Sequence, residues 1–255
     1  MAASDPTARF SDRVGDYVRH RPDYPPALLD WLQRELGITP DWAVADVGAG
    51  TGISSKLFLD AGYRVTAVEP NAVMRAAAVE WLGDNPRFRA VDGRADATDL
   101  PDAAVDLVVV AQAFHWFDPD AARREFRRIL RAGGLAAIFW NSRKPGGKPF
   151  LDGYEALLQR YGTDYAMVAE RHASDEAMRA WFGPGLRGEA HFSHRQRLDF
   201  DGLLGRLLSS SYAPRPGHPD YLPMKQALRT LFDTWAEDGR VNLDYDTRVF
   251  AGEVP

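Results

Sequence analysis

Residues 43–55 read A-V-A-D-V-G-A-G-T-G-I-S-S, and this stretch decides the fold. Residues 44–47 are a short apolar run with β-branched side chains, the pattern of a buried strand. Gly48, Gly50 and Gly52 follow, and a helical pattern begins at Ile53. Glycines there let the chain turn sharply and let a ligand lie against backbone N–H groups. The following helix would point free N–H donors and the positive end of its dipole at the same spot. Two phosphate-binding patterns fail on inspection. In G-x-x-x-x-G-K-[ST] the lysine must follow a glycine, but Lys56 lies between Ser55 and Leu57. In G-x-G-x-x-G the third glycine would fall on Ile53. What remains is D-x-G-x-G-x-G, with Asp46 just ahead of the glycines.

The chain has 255 residues, enough for one large α/β domain with a small cap. A hydrophobic share of 45% and a charged share of 26% are those of an ordinary globular protein. The net charge of −5 gives no global attraction to nucleic acid or to an anionic membrane. With no cysteine, disulfides, thiolate metal sites and thiol nucleophiles are excluded. No apolar run approaches the ~18 residues of a membrane span, and nothing resembles a signal peptide, so a cytoplasmic location is expected.

Outward from the glycine turn, the pattern predicts a helix over 27–36 ended by Gly37, a helix over 53–61 and a strand over 63–68. Glu69 then stands at the strand's carboxyl end, beside the glycine turn, where open α/β sheets bind ligands. Pro70 and Asn71 open a helix through Trp81, and residues 88–91 form a third strand. The run V-D-L-V-V-V-A over 105–111 is a central strand buried on both faces. It leads into Gln112, Ala113, Phe114, His115, Trp116 and Phe117. A helix over 118–131 with Ala121, Phe126, Ile129 and Leu130 inward would be stopped by Gly133 and Gly134, before a strand over 135–140. Its five arginines are cations near a helix C-terminus, and no interleaved aromatics point to nucleic acid. Residues 142–149 read as a loop and 150–161 as a helix, with further helices over 162–180. Trp140, Asn141 and Tyr154 would line a cleft there. His191 and His194, three positions apart on a strand, point to opposite faces and make no metal site. A late strand over 195–200, helices over 201–210 and 220–236, and an alternating antiparallel strand over 241–249 complete the chain.

Several segments together resemble the class I S-adenosylmethionine-dependent methyltransferases, in particular the small-molecule type related to trans-aconitate methyltransferase. They are D-x-G-x-G-x-G, Glu69 after the second strand, G-R-A-D-A-T-D-L-P over 93–101 and A-x-A-F-H-W-F-D over 111–118. An N-terminal leader, R-P-D-Y-P over 21–25, adds to them, while residues 142–220 match weakly. The resemblance implies a doubly wound, Rossmann-like, seven-stranded and mostly parallel sheet with an antiparallel late strand and a small helical cap. One domain would cover 1–255, with an N-terminal arm and helix (1–40), a cofactor core (41–141), a cap insertion with late sheet elements (142–220) and a C-terminal helix and strand (221–255).

The implied cofactor is S-adenosyl-L-methionine, whose ammonium and sulfonium suit the acid near the turn. Its binding set would be Asp46, Gly48, Ala49, Gly50 and Gly52 at the turn, with Glu69 and Pro70 for the ribose. Asp96 and Ala97 would hold adenine, while Gln112, Ala113 and Trp116 would meet the amino group and the cleft. Tyr17 would close over it from the leader. The reaction expected is in-line methyl transfer to a small molecule, carried mainly by positioning. A carboxylate acceptor needs no base, and Arg21 and His20 would hold it, unless Arg21 binds the cofactor's own carboxylate instead. A hydroxyl or phenol acceptor, methylated on O or C, would instead make His115 the base. Two other classes remain open: a non-catalytic S-adenosylmethionine-binding protein, and a nicotinamide-dependent oxidoreductase, against which the missing third glycine argues. No nucleic-acid or membrane partner and no metal are expected, and the protein would be a monomer or homodimer.

Overall fold

The computed structural model describes residues 15, 18, 20–143, 146–166 and 174–255. The expected helix before Pro22 falls mostly outside the described residues, as does Tyr17. The first described helix, α1 (Pro26–Leu36), starts on a proline whose missing N–H costs nothing there, and ends at Gly37 in the left-handed region (φ 69°). There follow β1 (Ala43–Val47), α2 (Ile53–Asp60), β2 (Arg64–Val68), α3 (Ala72–Leu82), β3 (Phe88–Val91) and β4 (Val105–Ala111). After a one-turn 3₁₀ helix at Phe114–Trp116 come α4 (Pro119–Ile129), β5 (Leu130–Arg143), α5 (Pro149–Tyr161), α6 (Asp175–Phe182) and β6 (Leu186–Leu198). The chain closes with α7 (Phe200–Leu208), α8 (Tyr221–Trp235) and β7 (Val241–Gly252).

The strands form one seven-stranded sheet in the order β3-β2-β1-β4-β5-β7-β6. Strands β1 to β5 pair in parallel, while β7 runs antiparallel to both of its neighbours, β5 and β6. This is the mostly parallel sheet with a reversed late strand that the sequence predicts. The strand order reverses between β1 and β4, so their carboxyl ends open a crevice at the glycine turn.

Alternation along each central strand builds a core on both sheet faces. Val108 and Val110 join Phe126 of α4 and Trp181 of α6, whereas Leu107 and Val109 join Leu28 and Leu32 of α1 and Phe58 of α2. A third cluster packs Tyr154 and Leu158 of α5, Leu203 and Leu207 of α7 and Leu228 and Phe232 of α8 against Leu243 and Tyr245 of β7. That cluster stands at the carboxyl-edge side of β5, whose Arg143 pairs with Tyr245.

Three expectations need correction. First, α4 ends at Ile129 and buries Ala122 rather than Ala121. Asp118 lies outside the helix as its cap, accepting from the N–H groups of Asp120 and Ala121, which rotates the inward stripe by one position. Second, Gly133 and Gly134 do not stop that helix, because β5 already begins at Leu130 and the glycines lie where the β4–β5 register shifts. Third, the late strand expected over 195–200 is β6, which starts at Leu186. Its residues alternate between half-buried and exposed, and charges such as Glu189 (to Arg179) and His191 (2.8 Å from Asp246) lie along it. An edge strand with so many charges carries no apolar run to mark it.

Between β3 and β4 the loop is pinned by one buried carboxylate. Glu125 of α4, 8% exposed, accepts from the N–H (2.8 Å) and hydroxyl (2.6 Å) of Thr98 and from Arg128 (2.6 Å). The Arg128 fork, with Thr98, outweighs burial and holds its pKa down to about 2. Glu125→Leu leaves the Thr98 N–H without its acceptor and Arg128 with Asp102 alone, and should cost about 1–3 kcal/mol in urea unfolding. Because the folded pKa is depressed, the wild-type advantage over this variant is full above the unfolded value near 4.5. It disappears as pH falls toward 2, which paired urea titrations at neutral and acid pH will read.

Candidate functional site

The glycine turn joins β1 to α2, and each of its glycines has φ in the left-handed region: 72° at Gly48, 57° at Gly50 and 91° at Gly52. A methyl group on Gly48 would stand 2.6 Å from the Ala113 Cβ, and one on Gly52 would stand 2.6 Å from Leu82. The turn therefore lies directly against the Gln112–Ala113 segment that follows β4. Several of its N–H groups already have partners within the chain. Gly48 and Ala49 donate to the Val68 carbonyl, Gly52 donates to Ala49, and Gly50 donates to the Glu69 carboxylate (2.9 Å).

Two buried acids face this turn. Asp46, 0% exposed, accepts at Oδ2 from the hydroxyls of Ser54 (2.7 Å) and Ser55 (2.6 Å) in the first turn of α2, while its Oδ1 is buried without a partner. Burial outweighs those hydroxyls and pushes its pKa up to about 6. Glu69 accepts from Gly50 and Asn71, and its pKa is raised by burial, with the neighbouring Asp46 charge adding to the rise. Two carboxylates held together with raised pKa values make a site that a cation or hydroxyl donors would relieve. The orphaned Asp46 oxygen fits the ammonium group of S-adenosylmethionine, and Glu69 at the β2 terminus fits a ribose.

An open cleft adjoins the turn. Of the expected residues it brings together Arg21, Gly48, Ala49 and Gln112; Tyr24 and Ser54, not anticipated from the sequence, line it as well. Gln112 adopts a left-handed backbone (φ 57°) and its side chain donates to the Asn141 carbonyl (3.1 Å). Arg21 donates to the Ser209 carbonyl (3.0 Å) at the end of α7. His20 is packed elsewhere: a methyl on Gly205 of α7 would meet its ring at 2.1 Å.

The other expected residues spread along the same sheet edge. Pro70 follows Glu69 into the Asn71 cap of α3. His115 and Trp116 occupy the 3₁₀ turn after β4 with their rings 4.8 Å apart. Asp96 is exposed and forked to Arg94, and the Ala97 N–H donates to the Arg94 carbonyl (3.0 Å), so this hairpin is closed on itself. Trp140 and Tyr154 do not line the cleft. Trp140 is 1% exposed in the core against Phe114, and Tyr154 lies in the third apolar cluster. His191 and His194 address different acids, Asp246 and Asp23, and no metal-binding group occurs among the described residues. Among those residues no helix is long and apolar enough to cross a membrane.

Comparison with known proteins agrees with this geometry. Residues 45–138 match the family model described as a methyltransferase domain. An uncharacterized methyltransferase of Mycobacterium tuberculosis is 40% identical over 143 residues, 54% of each chain. An uncharacterized methyltransferase-like protein of Schizosaccharomyces pombe is 32% identical over 169 residues, 64% of this chain and 63% of its own. The chain thus spans about half the length of the mycobacterial relatives it matches. A solved structure from Anaeromyxobacter dehalogenans, provisionally described as a type II methyltransferase, superposes with a TM-score of 0.67 at 25% identity, covering 92% of this chain and 98% of its own. The strand order and the glycine turn agree with these matches, and residues 45–138 are similar to a methyltransferase domain.

The Gly52→Ala variant combines a positive φ with the Leu82 collision. Thermal unfolding should register a loss of about 1–3 kcal/mol. At Gly37, also at positive φ but with open space around it, the same substitution should cost less.

Proposed function

We propose that the protein transfers a methyl group from S-adenosyl-L-methionine to a small-molecule acceptor, the accepting atom being a carboxylate oxygen. The observation that carries this reading is the buried, half-satisfied Asp46 carboxylate beside the glycine turn of a methyltransferase domain. In this reading Asp46 Oδ1 takes the ammonium and Glu69 the ribose hydroxyls, with Gly48, Ala49, Gly50, Gly52 and Pro70 shaping the cradle. Asp96 and Ala97 exchange their Arg94 contacts for adenine, and Gln112, Ala113 and Trp116 border the amino-acid end.

The cofactor supplies an electrophilic methyl group on a sulfonium. The chain's share is alignment of the acceptor behind that carbon, which supplies roughly 7–11 kcal/mol when two reactants are held in line. A carboxylate is ionised at neutral pH and asks for no base, only for a holder. Arg21 lines the cleft and its guanidinium suits that task, which favours a carboxylate over a phenol with His115 as base.

The reading is tested by S-adenosylhomocysteine release from purified protein, supplied with S-adenosylmethionine and a panel of small carboxylic acids, phenols and alcohols. Turnover on an acid, reduced about tenfold or more in Arg21→Ala, is expected. Turnover on hydroxyl acceptors alone, abolished in His115→Ala, would overturn the carboxylate assignment.

Asp46 also sets a pH dependence. Its folded pKa lies above its ordinary value of 3.8, so the native state holds the proton between 3.8 and about 6. Stability from this group is therefore greatest below 3.8 and is lost as pH rises through 6. Ligand binding runs the opposite way, since an ammonium needs the ionised carboxylate. Calorimetric affinity for S-adenosylhomocysteine should fall about tenfold per pH unit below that value. Asp46→Asn should bind weakly with a flat profile, and a flat profile in the wild type would remove Asp46 from the role.

A further inference from the structure

Beyond Arg21 lie two buried guanidinium groups, and among the described residues only one of them has a carboxylate within reach. Arg206 projects from α7 among Leu203 and Leu207 and is 4% exposed. Its partners are neutral: the Tyr245 hydroxyl (3.1 Å) and the Ser210 hydroxyl (3.1 Å). Arg143, at the carboxyl end of β5, donates to the hydroxyls of Tyr165 (2.8 Å) and Tyr212 (3.3 Å) and lies 3.6 Å from Glu155, while its Nε is buried with no partner. Among the described residues Glu155 is the single carboxylate paired with either. A buried cation without a counter-charge is costly, and chains keep one where something anionic completes it.

Both arginines converge on Tyr212, which is 8% exposed. Burial raises the pKa of this phenol, yet Arg143 and Arg206, with Ser210 and Arg21, more than reverse the rise and bring it to about 8. The remaining ionisable neighbours are Tyr154, Glu155, Tyr165 and Tyr245. At neutral pH Tyr212 is therefore still mostly a neutral phenol, and it adds negative charge only as pH rises past about 8. Arg21 connects this chamber to the cleft: it lines the cleft beside Gly48 and Gln112, and it also holds the Ser209 carbonyl three residues from Tyr212.

We propose that Arg143 and Arg206 are the acceptor's acid-binding pair: they receive a carboxylate of the substrate, with Tyr212 as a neutral hydroxyl donor to it. This deepens the methyl-transfer reading, on which it rests, by making the acceptor a small carboxylic acid. A planar guanidinium fork matches a carboxylate, and the neutral hydroxyl of Tyr212 can donate to a remaining lone pair, the Tyr165 hydroxyl being engaged with Glu155. When the acid enters, its charge compensates the two guanidinium groups, so Tyr212 loses their pull and its proton is held to higher pH. Arg206 and Arg143 are specificity-determining residues in this scheme, and a neutral acceptor leaves them uncompensated.

The test follows the tyrosinate absorbance of the full chain with pH, with succinate as the probe and inorganic phosphate as the comparison. The wild type should show one phenol titrating near 8, absent in Tyr212→Phe. Millimolar succinate should move its midpoint upward, and Arg206→Gln should lose about tenfold or more in succinate affinity. Arg206→Met, which removes an uncompensated charge, should unfold at the same or a higher temperature while also losing the succinate response. A response to phosphate but not to succinate would overturn the carboxylate assignment, and no response to either would overturn the anion pair itself. S-adenosylhomocysteine calorimetry on the same samples separates the two readings. Cofactor binding without a succinate response sinks only this inference, whereas loss of cofactor binding in the wild type sinks the methyl-transfer reading.

Discussion

The Asp46 carboxylate is the contact on which the cofactor edge depends. It stands at the end of β1, wholly buried, and holds the hydroxyls of Ser54 and Ser55 in the first turn of α2. The positive end of that helix therefore faces a partly compensated acid. Glu69 completes the arrangement from β2 by gripping the Gly50 N–H. The three left-handed glycines between them are required because any side chain at Gly48 or Gly52 would run into Ala113 or Leu82. The strain of holding two acids together is offset by the fold and, in the proposed function, relieved by a positively charged ligand.

The same logic with opposite sign governs the acceptor side. There the fold collects guanidinium groups and phenols rather than carboxylates, and Arg21 borders both regions. In the proposed function, buried acids on one side of the glycine turn and buried arginines beyond Arg21 on the other would sort the two ligands by charge. The sulfonium-bearing partner and an acid-bearing partner would then meet between them, with alignment supplied by the rigid edge of β1, β4 and β5.

Most of the core was readable from periodicity. The run at Val105–Ala111 is apolar throughout apart from Asp106, as a strand covered on both faces must be, and Asn71 capped α3 where expected. Strand β6 escaped because Arg, Glu and His alternate along it and its partner is a distant strand. The end of α4 was misplaced because Gly133 and Gly134 are stronger local signals than the turn to extended backbone at Leu130. Asp46 and the glycines were legible as a motif, while Ser54 and Ser55 looked like ordinary helix residues until their hydroxyls were seen on Asp46.

By itself the sequence determined the strand and helix order through the central core, the position of the sharp turn and the acids flanking it. Those properties are local: side-chain period and glycine's conformational freedom act over a few residues. Tertiary structure alone decided that the N–H groups of Gly48, Ala49, Gly50 and Gly52 have partners, that His20 is packed on α7, and that Arg206 is buried without a carboxylate partner among the described residues. Arg206 sits within D-G-L-L-G-R-L-L, where it reads as the polar face of an amphipathic helix, and its hydroxyl partner Tyr245 comes from β7. Charge compensation is a sum over groups brought together from separate elements, so it exists only once the chain is folded.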